Sequence, residues 1–236
     1  AMRLFALTPL LTCIAMHSTV VAATDAQAQR PLLASIERLF VSGHSLTDPP
    51  LPQHLSQIAA SLGTPLQWNM QSIPGSSIGM RIQGSGPEHA YRHGTNREGR
   101  NMDVLAEWRA PVTVSGGPYD ALLVTEQHGV LSALTWHQTT DALQSVHAQF
   151  LQANPRANTW FYEAWLGLDD LSNPTRWVAY ERAAAPVWRC IAARVNASRA
   201  KAGHNDRVQA VPSGVALAAL VERAMRRFGV QTVYHA

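Results

Sequence analysis

Lysine is nearly missing from this chain of 236 residues: Lys201 is the only one. A glycine-rich loop closed by a lysine is therefore absent, which excludes a Walker-type phosphate site. Charge of either sign is scarce at 15% of residues, and the formal net charge is +3. The tightest basic pair, Arg226-Arg227, falls far short of the clusters that hold a phosphate backbone, so no nucleic-acid partner is expected. Cysteine occurs twice, at Cys13 and Cys190. No cysteine or carboxylate set completes a zinc pattern, and neither a metal nor a cofactor is expected. No heptad or repeat period runs through the chain. What is present is a hydrophobic content of 46% with 14 scattered prolines, which argues against disorder. The length fits one domain whose core needs no staples.

The N-terminus reads apart from that domain. Arg3 precedes an apolar run, Leu4 to Met16, too short to span a bilayer as a helix. A small-residue stretch from Val20 follows and ends in Ala26-Gln27-Ala28. A positive start, an apolar middle and an A-x-A exit describe a secretory signal peptide. Residues 1–28 are thus expected to be removed, leaving 29–236 as one exported domain, periplasmic or secreted, with no membrane-spanning segment. Cys190 would then stand alone without an internal disulfide, and its apolar helical surroundings predict a packed thiol.

Along the remaining chain, Leu39-Phe40-Val41 predicts a strand ending at Ser42-Gly43. Leu55, Ile58, Ala59 and Leu62 recur at helical spacing. Leu66 to Ile73 alternates as a second strand and stops at Pro74-Gly75. From Gly75 to Arg100 there are six glycines and little periodicity, the pattern of a long functional loop. Further strands are expected at 120–125, 158–165 and 208–211, and helices around Leu143 to Phe150, Trp177 to Val195 with an interruption near Pro186, and Val215 to Met225. Strands alternating with helices imply an α/β layered fold with a mainly parallel sheet of about five strands. In such sheets ligands bind beyond the carboxyl ends of the strands. The loops at 42–48, 74–79, 125–129 and 165–174 are therefore expected to share one rim.

The first of these loops reads Gly43-His44-Ser45-Leu46-Thr47-Asp48. A serine directly behind a strand, with a glycine allowing a tight turn, is exposed with its backbone N–H turned into the crevice. The string resembles the first block of the SGNH, or GDSL-type, hydrolases, matching at Gly43, Ser45 and Leu46, with His44 in place of the family's aspartate. The resemblance implies a three-layer flavodoxin-like sandwich and a serine-dependent ester hydrolase with Ser45 as nucleophile. It also implies an oxyanion hole from the backbone N–H groups of Ser45 and Gly75. The family's third block supplies an asparagine; Val124-Thr125-Glu126-Gln127-His128 has none, and Gln127 is the side chain there that can donate. The fourth block is a late Asp-x-x-His. Its counterpart is Thr232-Val233-Tyr234-His235, which makes His235 the candidate base without the aspartate. The chain stops at Ala236, which leaves two readings: a truncated C-terminus, or a base elsewhere, with His204 and Asp206 as the second choice.

A rival nucleophile elbow, Gly75-Ser76-Ser77-Ile78-Gly79, fits Gly-x-Ser-x-Gly, but the sequence shows no helix behind Ser77. His89 and His93 have metal-ligand spacing only if helical, and the glycines around them argue for a loop. His44 and Trp165 are expected to face substrate at the rim. The expected substrate is a small-molecule or glycan ester, with removal of a short acetyl-like acyl group from a carbohydrate. The alternative is a catalytically inactive glycan-binding or assembly protein on the same scaffold, favoured by the missing asparagine and by Thr232.

Overall fold

Strand β1 (Arg38–Gly43) lies in the middle of a seven-stranded sheet because both of its faces are apolar: Leu39 and Val41 project one way, Phe40 the other, and all three are buried. The computed structural model describes residues 36–83, 93–170 and 172–228, which belong to one unit beginning at Ile36. The expected signal peptide and His235 lie outside the described residues. Five strands run parallel in the order β2-β1-β5-β6-β7, with β2 at Gln67–Ser72, β5 at Ala121–Thr125, β6 at Asn158–Tyr162 and β7 at Val208–Val211. Two three-residue strands, β3 (His93–Thr95) and β4 (Asn101–Asp103), extend the β2 edge in antiparallel fashion. The parallel core matches the sequence expectation of about five strands; the hairpin is an addition.

One short helix, α2 (Ile78–Gln83), falls inside the expected loop after β2; α3 (Val104–Arg109) follows β4, capped by the Asp103 side chain on the Ala106 N–H at 2.9 Å. The remaining helices are α1 (Leu51–Ser61), α4 (Val130–Thr135), α5 (Thr139–Ala153), α6 (Thr175–Lys201) and α7 (Ser213–Phe228). The α6 helix runs through Pro186 rather than stopping there. No described helix is long and apolar enough to cross a membrane.

Helices lie against both faces, as a three-layer sandwich requires. On one face Phe40, Leu122, Val124 and Phe161 meet Leu143, Val146 and Phe150 of α5 and Trp188, Ile191 and Val195 of α6. Each such side chain contributes about 1.5–3 kcal/mol on burial. On the other face Leu39, Val41, Met70 and Leu123 meet Leu55 of α1, while Ile58 and Leu62, placed by periodicity on the same apolar face, are exposed. Cys190 is buried within α6, at the apolar helical position the sequence gives it.

Chain order marks one place for a site on topological grounds alone. From β1 the chain moves outward to β2, then crosses back to β5 on the other side of β1. The loops after β1 and β5 thus diverge, opening a crevice between their carboxyl ends.

Candidate active site

The turn behind β1 is closed on itself. The Thr47 N–H donates to His44 O at 2.7 Å, and the Thr47 hydroxyl accepts the His44 N–H at 3.2 Å. A Cβ on Gly43 would stand 1.8 Å from Thr47 Oγ1, so only glycine fits at the strand end. This geometry turns Ser45 outward. Ser45 is exposed, and neither its hydroxyl nor its N–H makes a hydrogen bond among the described residues.

His44, expected to face substrate, is instead wholly buried. Its Nε2 lies 2.8 Å from Glu126 O, and its Nδ1 accepts the Leu46 N–H at 3.4 Å. A carbonyl can only accept, so Nε2 carries the proton. Burial lowers the pKa to about 4, and the ring is neutral. His44 is a strut from the β1 turn to the β5 turn, with no group left for a ligand.

The loop behind β2 supplies Gly75 at φ +69°, a left-handed turn position that favours glycine. Its N–H makes no hydrogen bond among the described residues, and its carbonyl accepts from Gln127 Nε2 at 2.5 Å. One amide hydrogen of Gln127 is therefore committed to bridging two loops, and the other remains. The rival Ser77 does precede a helix, α2, contrary to the sequence reading. Its hydroxyl is buried, however, and accepts the Met80 N–H at 3.2 Å as that helix's cap.

Beneath these turns lie Arg81, which sequence reading missed, and Glu126. Arg81 is buried, with Nε 3.0 Å from Ser42 Oγ, Nη1 2.9 Å from both Ser76 O and Ser76 Oγ, and Nη2 bonded to Thr125 O. One guanidinium thus ties the ends of β1 and β5 to the loop behind β2. Burial lowers its pKa to about 10, still far above neutrality. Glu126 is equally buried; its carboxylate accepts the Ile78 N–H at 3.1 Å, the Gln127 N–H at 2.7 Å and the Thr139 hydroxyl at 2.8 Å. Burial raises its pKa, opposed by these bonds and by Arg81. No periodicity marks an arginine in a glycine-rich stretch as an interior residue, so no local signal could have found it.

The β6 loop joins the same rim: His128 Nδ1 lies 3.0 Å from Trp165 O. All four loops expected to meet are therefore linked by hydrogen bonds. Trp165 itself is half-buried, edge-on to Tyr162 at 5.6 Å and packed with Trp177 and Val178, so its indole is a wall of the core more than a free platform. Trp136, at the end of α4, is 79% accessible.

His204 and Asp206 are elsewhere, before β7 at the amino end of the sheet. There Asp206 accepts from Arg199 and from buried His147 at 2.8 Å. His89 lies outside the described residues; His93 falls in β3, opposite Asp103. Among the described residues no three His, Cys, Asp or Glu side chains could hold a metal ion.

No protein-family model matches the chain, and no curated protein matches it significantly. Three solved structures resemble it at low identity. A DUF4886 family protein from Bacteroides uniformis has a TM-score of 0.43 and 15% identity, over 77% of this chain and 68% of that one. A family two carbohydrate esterase from Clostridium thermocellum, in complex with cellohexaose, has a TM-score of 0.40 and 13% identity, over 82% and 65%. A carbohydrate esterase family 2 enzyme plus carbohydrate binding domain from Corynascus thermopiles (Myceliophthora fergusii) has a TM-score of 0.42 and 15% identity, over 80% and 65%. The chain spans less than two thirds of the length of each of these two esterases.

Proposed function

We propose that the protein is a serine-dependent ester hydrolase of the SGNH type, exported to the periplasm or secreted, that removes short acyl groups from a carbohydrate or another small ester. The observation that carries the reading is Ser45: an exposed hydroxyl with no hydrogen bond among the described residues, on a turn that admits only glycine before it, at the carboxyl end of the central parallel strand. Ser45 Oγ attacks the acyl carbon, a histidine takes its proton, and the N–H groups of Ser45 and Gly75, with the remaining Gln127 amide hydrogen, receive the oxyanion. Each such donor lowers the barrier by about 2.7–4 kcal/mol. His235, the base implied by the resemblance, is outside the described residues. Exposed Trp136 supports a sugar-bearing substrate, because a free indole face stacks on apolar ring faces.

Intact mass and peptide mapping after a serine-reactive fluorophosphonate test this reading. An adduct on the Ser45 peptide is expected; an adduct on Ser77, or none on folded protein, overturns it. The second reading, a glycan-binding protein without turnover, is favoured by the lack, among the described residues, of a hydrogen bond from Ser45 Oγ to a base. It predicts glycan binding that survives Ser45→Ala with no ester cleaved.

A further inference from the structure

Resting on the reading of Ser45 as the nucleophile, we propose that Nε2 of His128 accepts the Ser45 proton. Three observations converge on this residue. First, His128 stands on the turn behind β5, and Ser45 on the turn behind β1; these are the two strands between which the chain order reverses. Second, the His128 ring packs on the ring of His44, the residue before Ser45, with centroids 4.8 Å apart and planes at 44°. Third, the Nδ1 of His128 lies 3.0 Å from Trp165 O. That carbonyl can only accept, so Nδ1 holds the proton and Nε2 keeps its lone pair. No described residue hydrogen-bonds to Nε2.

The other histidines whose side chains are described are worse placed. His44 has both nitrogens engaged and Nε2 protonated. His147 bonds Thr159 Oγ1 and Asp206, and His204 lies beside Asp206, both at the amino end of the sheet. His54 sits on α1 against Gln57. His137, after α4, has no acceptor among the described residues to set its ring. The charged groups closest beneath the site are committed: Glu126 turns its carboxylate to Ile78, Gln127 and Thr139, and Arg81 is spent on Ser42, Ser76 and Thr125.

The balance of the reaction is complete with these groups. Ser45 Oγ bonds the acyl carbon as its proton passes to His128 Nε2, giving an imidazolium and an oxyanion. Collapse breaks the bond to the alcohol oxygen, which leaves with the proton from Nε2. Water then gives its proton to Nε2, its oxygen bonds the acyl carbon, and Ser45 Oγ departs with that proton, releasing the acid. Trp165 O orients the ring in place of a carboxylate.

The test uses the full chain, with p-nitrophenyl acetate turnover and fluorophosphonate adduct formation read on the same samples. Wild type is expected to form the adduct at Ser45. His128→Gln, folded by circular dichroism, is expected to lose ~10²–10⁴-fold in both rates and to lose the acidic limb of the kcat/KM profile. His137→Gln is expected to keep both. Wild-type rates in His128→Gln, with the loss moved to His235→Gln, overturn this inference and leave the Ser45 reading standing. No Ser45 adduct in wild type overturns both. Should His128→Gln not fold, ¹⁵N imidazole spectra of the wild type decide: an Nδ1–H tautomer whose protonation changes when Ser45 is phosphonylated is expected, and a ring indifferent to phosphonylation overturns the proposal.

Discussion

His147 and His128 occupy opposite ends of the same parallel sheet and are held in opposite ways. His147 is buried, with Thr159 Oγ1 at 2.9 Å on one nitrogen and Asp206 at 2.8 Å on the other. A histidine on a carboxylate is the usual mark of a general base, yet both nitrogens are spent and no serine faces them. His128 is only half-buried, rests on an uncharged carbonyl, and keeps one nitrogen unbonded. The lesson is that an acid–histidine pair is as readily a structural cross-link as a catalytic one. What separates the two is an unspent nitrogen beside an exposed nucleophile, at the end of the sheet where loops diverge. Arg199 completes the structural character of the first cluster, holding Asp206 through Nε at 2.5 Å and Nη2 at 2.7 Å.

The sharpest way to break this contrast is Ser45→Ala, expected to abolish ester turnover by at least ~10⁴-fold while leaving thermal stability unchanged. Retained turnover would remove the carboxyl end of the sheet from the chemistry. Gly43→Ala comes next. The added methyl drives Thr47 out of the turn, and a displacement of the nucleophile of that kind costs about 10²-fold in kcat; unaltered kcat would show that Ser45 does not depend on the turn. His147→Gln inverts the pattern, since the lost hydrogen bonds cost about 1–3 kcal/mol of stability in a melting curve while kcat/KM per folded molecule stays at the wild-type value. A selective loss of kcat/KM would make the Asp206 cluster functional after all.

The two ends also respond oppositely to pH. The Arg199 pairing holds the Asp206 carboxyl far below the usual carboxylate range, and burial lowers the pKa of His147. Both favour the native state at neutral pH, and their contribution is lost as pH falls. At the carboxyl end, Glu163 is wholly buried without a hydrogen-bond partner, its nearest cation Arg189 being 3.7 Å away. Burial raises its pKa to about 7, and that of Glu181, which accepts the Leu166 N–H at 2.9 Å, to about 7 as well. Their folded-state values exceed the unfolded ones, so this contribution is full in acid and disappears as pH rises through about 7. The melting temperature should therefore drop between about pH 5 and about pH 8, and Glu163→Gln should flatten that drop; an unchanged slope in the variant would assign it elsewhere. The smallest effect expected is from Trp136→Ala, a few-fold rise in KM for an acetylated glycan with kcat and stability unmoved. An unchanged KM would take the exposed indole out of the substrate path.

Much of this architecture was legible because it rests on local patterning. Continuous apolar runs at 39–41 and 121–124 could only be central strands, and the glycine and serine behind the first marked an outward turn. The stretch from 75 to 100 reads as a loop because α2 and the β3–β4 hairpin are too short to display a period; the Ser77 cap on α2 and the pairing of β3 to β2 hold them instead. His44 reads as a substrate contact in the sequence because polarity near a rim carries no record of which way a side chain turns.

By itself, then, the sequence determined the parallel α/β core and the serine turn, since periodicity and glycine sterics act between neighbours in the chain. Only the tertiary structure decided which polar residues are spent and which are free. Arg81 and Glu126 are buried, His44 is neutral, and His128 keeps Nε2 unbonded because of partners that lie 37 to 82 positions away along the chain, and a hydrogen bond over that separation leaves no trace in local pattern.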